Sequence, residues 1–213
     1  MRCASAEFVT SAARGEDTPR DGVPQVALVG RSNVGKSTLI NALTGMRLAR
    51  TSAKAGKTRL ANIYRIVPRQ GPRFYLVDLP GYGYARGGDA SRREFQALAT
   101  GYFALRAEGR GPDLALLVVD ARHPGLEADL EARAWLAAGG VPVMAAVNKV
   151  DKLPRAARAR MARQHAEALD ATVVEISANR GEGLEELWTQ IARQLKNPRP
   201  TRPTSPPAAD PRA

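Results

Sequence analysis

The 213-residue chain has little cysteine and no long apolar run, and each of these two shortages excludes a class of protein. A single cysteine, Cys3, excludes an internal disulfide framework and a zinc site built from cysteines. No apolar stretch approaches the roughly 20 residues that span a bilayer, and residues 1–8 are too polar for a secretory signal. These absences predict a cytoplasmic protein with no membrane partner.

Acidic side chains are also scarce relative to basic ones. Lys and Arg number 32 against 21 for Asp and Glu, which gives a net charge of +11 and an isoelectric point near 10.5. Such an excess favours a polyanionic partner, and nucleic acid or a ribonucleoprotein is favoured over lipid because no basic amphipathic anchor or lipidation signal is present. The alternative, that the charge serves solubility alone, stays open.

The length fits one domain with trailing ends. Residues 1–24 mix charges with Gly and Pro and predict a flexible leader, in which only 6–9 is suited to dock on a sheet. Residues 25–196 form the predicted domain, and the Pro-rich residues 197–213 predict a disordered tail. We expect a monomer.

Short apolar segments alternate along the chain with segments of helical periodicity. The segment 114–119 is continuously apolar, as is typical of a strand buried on both faces. The predicted strands are 25–30, 61–67, 74–77, 114–119, 141–147 and 172–176, the second and third forming a hairpin. The predicted helices lie at about 36–45, 90–107, 126–138, 154–169 and 182–195.

A phosphate loop follows the first of these predicted strands. Residues 30–37 read GRSNVGKS and fit the pattern G-x-x-x-x-G-K-[S/T]. In this pattern backbone N–H groups surround phosphate oxygens, Lys36 reaches the β- and γ-phosphates and the Ser37 hydroxyl is placed to bind Mg²⁺. The helix that follows directs the positive end of its dipole at the same anion. The predicted nucleotide contacts here are Gly30, Arg31, Ser32, Asn33, Val34, Gly35, Lys36, Ser37 and Thr38.

A second motif, DLPG, follows the strand predicted at 74–77. Asp78 at the carboxyl end of a strand is placed to hold Mg²⁺ through water, and Gly81 can turn its N–H toward a γ-phosphate. Leu79 and Pro80 complete the predicted contacts of this motif.

The sequence NKVD at 148–151 ends the strand predicted at 141–147. Guanine presents N1–H and N2–H₂ as paired donors, and the carboxylate of Asp151 accepts both, whereas adenine lacks this pair. Asn148 either contacts the base edge or supports the neighbouring loops, and the stem of Lys149 can cover the base plane. Backbone N–H groups of Ser177, Ala178 and Asn179 are placed to reach the guanine O6, and Val150 completes the predicted contacts.

Residues 46–60 are basic and lack apolar periodicity, which predicts a mobile loop beside the phosphates. The helix at 154–169 carries Arg155, Arg158, Arg160 and Arg163. These arginines form either a solvated face or a patch that faces RNA, and both interpretations stay open. His165 is predicted to be exposed. His123 follows the strand at 114–119 and either faces the nucleotide or has a structural role, and the structural role is favoured for a lone histidine.

Taken together, the motifs GRSNVGKST (30–38), GKTR (56–59), DLPGYGYA (78–85) and DARHP (120–124), with NKVD and SAN, resemble the EngB family of bacterial ribosome-biogenesis GTPases. The resemblance covers about 25–195. It implies an α/β fold of the P-loop GTPase class, with a mostly parallel six-stranded sheet and helices on both faces. It also implies binding of GTP or GDP with Mg²⁺, a role in assembling the large ribosomal subunit on its rRNA, and a link to cell division and septation.

The same resemblance assigns roles to single residues. It makes Ser37 and Thr58 direct Mg²⁺ ligands beside Asp78, adds Gly56 and Lys57 to the nucleotide contacts, and predicts that Lys36, Thr58 and Gly81 act on the γ-phosphate. Asn33 stands where related GTPases bind K⁺, which implies stimulation by K⁺. Many GTPases orient the attacking water with a Gln where this chain has Tyr82, so we expect slow intrinsic hydrolysis.

Two other functions are compatible with a phosphate loop. An ATP-dependent phosphotransferase would need an acceptor site and no guanine selector, and NKVD disfavours it. A nucleic-acid-binding module with a degenerate nucleotide site is disfavoured because Lys36, Ser37 and Asp78 are all present.

Overall fold

The computed structural model describes residues 3–50, 60–82 and 88–196, and these ranges contain seven strands. The strands are β1 Cys3–Ala12, β2 Gln25–Gly30, β3 Ala61–Pro68, β4 Phe74–Asp78, β5 Leu114–Asp120, β6 Val143–Asn148 and β7 Thr172–Glu175. They form one sheet in the order β1-β3-β4-β2-β5-β6-β7. The strands β4, β2, β5, β6 and β7 run parallel to one another, and β1 and β3 add two antiparallel pairings at one edge.

Five helices cover the two faces of the sheet in the described part of the chain. The central strand β5 explains this arrangement, because Leu117 packs into one apolar cluster and its neighbours Leu116 and Val118 pack into the other. The helices are α1 Lys36–Thr44, α2 Gly88–Ala104, α3 Glu127–Ala138, α4 Arg155–Leu169 and α5 Leu184–Lys196. One face of the sheet carries α2, α3 and α4, and the opposite face carries α1 and α5.

The sheet has an edge strand that the sequence predicted only in part. Residues 6–9, the part of the leader that is suited to dock on a sheet, belong to β1, which pairs with β3 over its length. The prediction of a flexible leader is wrong for the rest of Cys3–Ala12, and β1 raises the strand count from six to seven. Phe8 packs edge-on against Tyr64 with ring centroids 5.9 Å apart, and Glu7 forms an ion pair with Arg65. Most side chains of β1 are nevertheless exposed, so the segment shows no alternating apolar pattern by which the sequence could reveal it.

The other predicted elements are confirmed to within a few residues, including the β3–β4 hairpin. The predicted tail at 197–213 lies outside the described residues. Nowhere in the described ranges is a helix both long and apolar enough to cross a bilayer.

His165 is the clearest error in the predicted surface. The side chain lies on the inner face of α4 and is 1% exposed, although the sequence predicted it in solvent. Burial lowers its pKa, while hydrogen bonding to the backbone of Ala121 and the negative charge of Asp129 act in the opposite direction. The sequence around His165 is rich in arginine, which indicated an exposed helix, so it did not reveal that one face of α4 is buried.

This burial predicts an acid-sensitive step in stability. The folded state favours neutral His165, while the unfolded chain protonates it with the ordinary pKa of about 6.5. The stabilisation is therefore complete above about pH 6.5 and declines as the pH falls below it, by at most about 1.4 kcal/mol per pH unit. Urea unfolding of the wild type and His165→Leu between pH 5 and 8 measures this component, which the variant should lack.

His123, the only other histidine, is exposed and supplies the control. His123→Ala should keep the pH dependence of the wild type. Parallel stability curves for the wild type and His165→Leu would contradict the prediction.

Candidate nucleotide-binding site

The loop between β2 and α1 adopts a conformation that depends on glycine. Gly35 has φ +107°, and a Cβ there would lie 2.4 Å from Nδ2 of Asn148. A Cβ on Gly30 would lie 2.6 Å from the carbonyl oxygen of Val118. The loop therefore packs closely against β5 and the end of β6, and α1 begins directly after it at Lys36.

Lys36 is held inside this loop. Its Nζ lies 2.8 Å from the carbonyl oxygen of Gly30 and 3.4 Å from that of Arg31. Burial lowers the pKa of Lys36, and the negative charge of Asp78 opposes that effect. The ammonium group is thus oriented within the curve of the backbone where the motif places phosphates.

Asp78 ends β4 beside this lysine. Burial raises its pKa to about 6, and the positive charge of Lys36 acts against that increase. The carboxylate is therefore mostly ionised at neutral pH, yet its buried Oδ1 has no hydrogen-bond partner in the described part of the chain. A buried anionic oxygen without a donor suits a hard divalent cation or its water ligands, so Asp78 fits the predicted Mg²⁺ site.

Asn148 joins three loops at the carboxyl edge of the sheet. Its Nδ2 donates to the carbonyl oxygen of Val34 at 3.0 Å, and its Oδ1 accepts from the N–H groups of Lys149 and Ala178 at 2.8 and 3.0 Å. The side chain is 2% exposed. Of the two roles left open by the sequence, this geometry supports the structural one.

Asp151 faces the third of these loops. Its Oδ1 accepts a hydrogen bond from the Ser177 hydroxyl at 2.7 Å, which lowers the pKa of the carboxyl group. The N–H of Ala178 already donates to Asn148, while the N–H of Asn179 has no partner among the described residues. The site thus combines an ionised acceptor, Asp151, with the backbone N–H of Asn179 as a donor, two residues after the serine that orients Asp151. These are the groups that guanine requires.

Other predicted contacts differ in where the structure places them. Leu79 and Val150 are 1% and 3% exposed, so their side chains belong to the core. A Cβ on Gly81 would lie 2.6 Å from the backbone nitrogen of Ser32, which places the DLPG motif against the phosphate loop. Gly56, Lys57 and Thr58 lie outside the described residues.

A buried cluster beside the site was missed by the sequence analysis. The Tyr82 hydroxyl donates to Oδ1 of Asp129 at 2.8 Å, and Nε of Arg31 lies 3.3 Å from the same oxygen. Burial raises the pKa of both Tyr82 and Asp129. Asp129 occupies the first turn of α3, where an acidic residue is common for helix stability alone, so no local signal distinguished it.

This cluster explains what Tyr82 does at the position of a catalytic Gln. Its phenol is bonded to α3, and its carbonyl oxygen accepts from the N–H of Ser32 at 3.2 Å. Through these two hydrogen bonds, Tyr82 connects the DLPG motif to the phosphate loop and to α3.

The chain is similar to known GTP-binding proteins over most of its length. A family model described as 50S ribosome-binding GTPase matches residues 25–149. The "Probable GTP-binding protein EngB" of Symbiobacterium thermophilum is 39% identical over 90% of this chain and 96% of its own. The protein of that name from Anaeromyxobacter sp. (strain K) is 39% identical over 98% and 99%.

Solved structures show the same fold. A crystal structure of a probable GTP-binding protein engB aligns with a TM-score of 0.60 at 26% identity, over 81% of this chain and 99% of that one. Era in complex with MgGDPNP and nucleotides 1506–1542 of 16S ribosomal RNA aligns with a TM-score of 0.68 at 28% identity. The alignment with Era covers 88% of this chain and 60% of the Era chain.

The hydrogen bond from Tyr82 to Asp129 predicts that the Tyr82 hydroxyl contributes to the stability of the fold and has little effect on the rate of GTP hydrolysis. Tyr82→Phe leaves the buried Asp129 carboxylate without its donor, which should lower the free energy of unfolding by about 1–3 kcal/mol. The rate of GTP hydrolysis should stay within about twofold, because the hydroxyl does not act on the attacking water. Urea unfolding and single-turnover hydrolysis measure the two effects, and a large loss of rate with unchanged stability would contradict the prediction.

Proposed function

Because the chain belongs to the EngB family of GTP-binding proteins, we propose that it is a GTP-controlled switch in the assembly of the large ribosomal subunit. Family membership makes it a GTP hydrolase of the P-loop class. The proposal adds the partner, a cytoplasmic location, and a link to cell division and septation.

One observation supports guanine-nucleotide binding above all: the Asn148 side chain forms hydrogen bonds with both the phosphate loop and the loop at 177–179. It fixes Asp151 and Ser177 at the same edge of the sheet as Lys36. A phosphate cradle and a guanine selector are useful together only for a guanine nucleotide, which disfavours an ATP-dependent phosphotransferase. The presence of Lys36 inside the phosphate loop, with the buried Asp78 carboxylate near enough to act on its charge, likewise disfavours a degenerate site.

Ser37 and Asp78 are the described residues that would hold Mg²⁺, with Thr58 as a further ligand by family resemblance. When bound, the ion would neutralise charge on the β- and γ-phosphates. Lys36 would bind the same phosphates as a point charge, and Gly81 would offer its N–H to the γ-phosphate. Asn33, at φ +62°, is the proposed contact of K⁺.

Slow intrinsic hydrolysis follows from the position of Tyr82. A phenol bonded to Asp129 leaves the attacking water without the carboxamide that orients it in many GTPases. Slow hydrolysis allows the GTP-bound state to persist, which is what a switch requires until a partner accelerates the reaction.

The exposed face of α4 is the proposed contact with ribosomal RNA. Arg155, Arg160 and Arg163 are exposed there, and α4 has no acidic residue before Glu167. Arg158 instead pairs with Glu182 at 2.7 Å, so it is committed within the domain. A cationic face on a chain of net charge +11 fits a phosphate backbone, and arginine can bind phosphate with two hydrogen bonds.

The guanine selector is tested by Asp151→Asn. Xanthine has an acceptor where guanine has its exocyclic amine, so an amide at 151 should move the preference from GDP to XDP by about 100-fold or more. Displacement of fluorescent GDP or XDP from the wild type and the variant measures the change. An unchanged preference would remove Asp151 from the base site.

The RNA face is tested by binding to purified large ribosomal subunits with a non-hydrolysable GTP analogue. Arg160→Glu/Arg163→Glu should weaken binding and reduce the slope of log affinity against log salt concentration by about 1–2, since each lost phosphate contact contributes nearly one unit. Co-sedimentation at several salt concentrations measures both quantities.

Arg193→Glu/Lys196→Glu is the matched control, because both residues are exposed on α5, on the opposite face of the sheet. It lowers the net charge by the same amount as the α4 variant. Equal loss of binding in the two variants would show a dependence on overall charge and would overturn the assignment to α4.

A further inference from the structure

We propose that Asp120 is a positioning residue of the guanine site and that its carboxylate holds the ammonium group of Lys149 against the phosphate loop. The inference rests on the proposed role of Lys149 in covering the guanine base. Asp120 belongs to the DARHP motif at 120–124. This motif has no role in phosphate binding or guanine recognition as described above.

The fold places Asp120 next to the NKVD motif. It is the last residue of β5 and pairs in register with Asn148, the last residue of β6. Lys149 follows at φ +71°, a left-handed conformation that is uncommon for a residue with a side chain. This turn carries the lysine side chain across the end of β5.

The Lys149 ammonium lies between two oxygen atoms from different elements. Its Nζ is 2.9 Å from Oδ2 of Asp120 and 2.9 Å from the carbonyl oxygen of Asn33. Asn33 lies in the phosphate loop and, like Lys149, has a positive φ. The ammonium therefore connects the carboxyl end of β5 to the loop that surrounds the phosphates.

Asp120 is suited to hold this charge permanently. Its side chain is 5% exposed. Arg122 also donates to this carboxylate, from Nε to Oδ1 at 2.9 Å and from Nη2 to Oδ2 at 2.8 Å. Burial alone would raise the pKa of Asp120, but the hydrogen bonds from Arg122 and Lys149 outweigh it and hold the pKa well below its ordinary value. The anion thus persists across the physiological pH range.

Fixing the ammonium at one end also fixes the methylene chain of Lys149. A free lysine side chain loses conformational entropy when it is ordered, and a side chain that is already ordered no longer incurs that loss when the nucleotide binds. Asp120 therefore acts on guanine affinity through Lys149, without contacting the nucleotide.

A double-mutant cycle tests this coupling with Asp120→Asn, Lys149→Met and the two combined, measured by the affinity for fluorescent GDP at fixed Mg²⁺ and salt. Each single variant should weaken binding about tenfold, and the double variant should be no weaker than Lys149→Met alone. In Asp120→Asn the KM for GTP should rise more than kcat falls. Additive losses in the double variant would overturn the inference.

Three further measurements separate the possible failures. If Lys149→Met leaves GDP affinity unchanged, the proposed role of Lys149 itself fails, whatever Asp120 does. Arg122→Gln removes the other cation from the same carboxylate and should keep GDP affinity within about twofold, while a tenfold loss would indicate that the loop as a whole matters. Asp120→Glu keeps the charge but moves it, so it serves if Asp120→Asn does not fold: a partial loss supports the inference and unchanged affinity contradicts it.

Discussion

The hydrogen bonds of the Asn148 side chain are the interaction on which the site depends. A buried primary amide must satisfy its donors and its acceptor inside the protein, because an unpaired buried polar group costs about 1–3 kcal/mol. Asn148 meets this requirement with Val34 in one loop, its own neighbour Lys149, and Ala178 in a third loop. Three segments far apart in the sequence are therefore held in one relative position. The need for glycine at position 35 follows from the same contact, since a Cβ would occupy the space of the Asn148 amide.

Four aspartates in and around this edge of the sheet show how one side chain serves different purposes in different surroundings. Asp78 is buried with an unpartnered oxygen and a raised pKa, which suits a metal ion or its water ligands. Asp120 is saturated by two cations, and Asp129 accepts from a tyrosine. Asp151 is oriented by a serine hydroxyl and keeps its negative charge. Only the first and last have a geometry suited to direct contact with a nucleotide or its metal, and the other two support the residues that have such contact.

The sequence predicted what repeats locally and missed what depends on distant neighbours. A continuous apolar run such as 114–119 predicts a central strand because burial on both faces requires it, and a glycine pattern predicts a phosphate loop because few other sequences permit that turn. The edge strand β1 carries no such pattern, since its side chains are mostly exposed and its stability comes from backbone pairing with β3. The Tyr82–Asp129 bond and the burial of His165 join elements that only the folded chain brings together. The use of the Ala178 N–H by Asn148 is of the same kind, because a motif names the residues of a loop but not the partners of each backbone group.

A guanine-nucleotide site in these loops is tested by the displacement of fluorescent GDP from the wild-type chain by GDP, GTP and ATP in the presence of Mg²⁺. The arrangement of Asp151, Ser177 and the phosphate loop predicts that GDP and GTP displace the probe at comparable concentrations, while ATP fails to do so at concentrations about 1,000-fold higher. Displacement by ATP at concentrations similar to those of GTP would show that these loops do not select guanine.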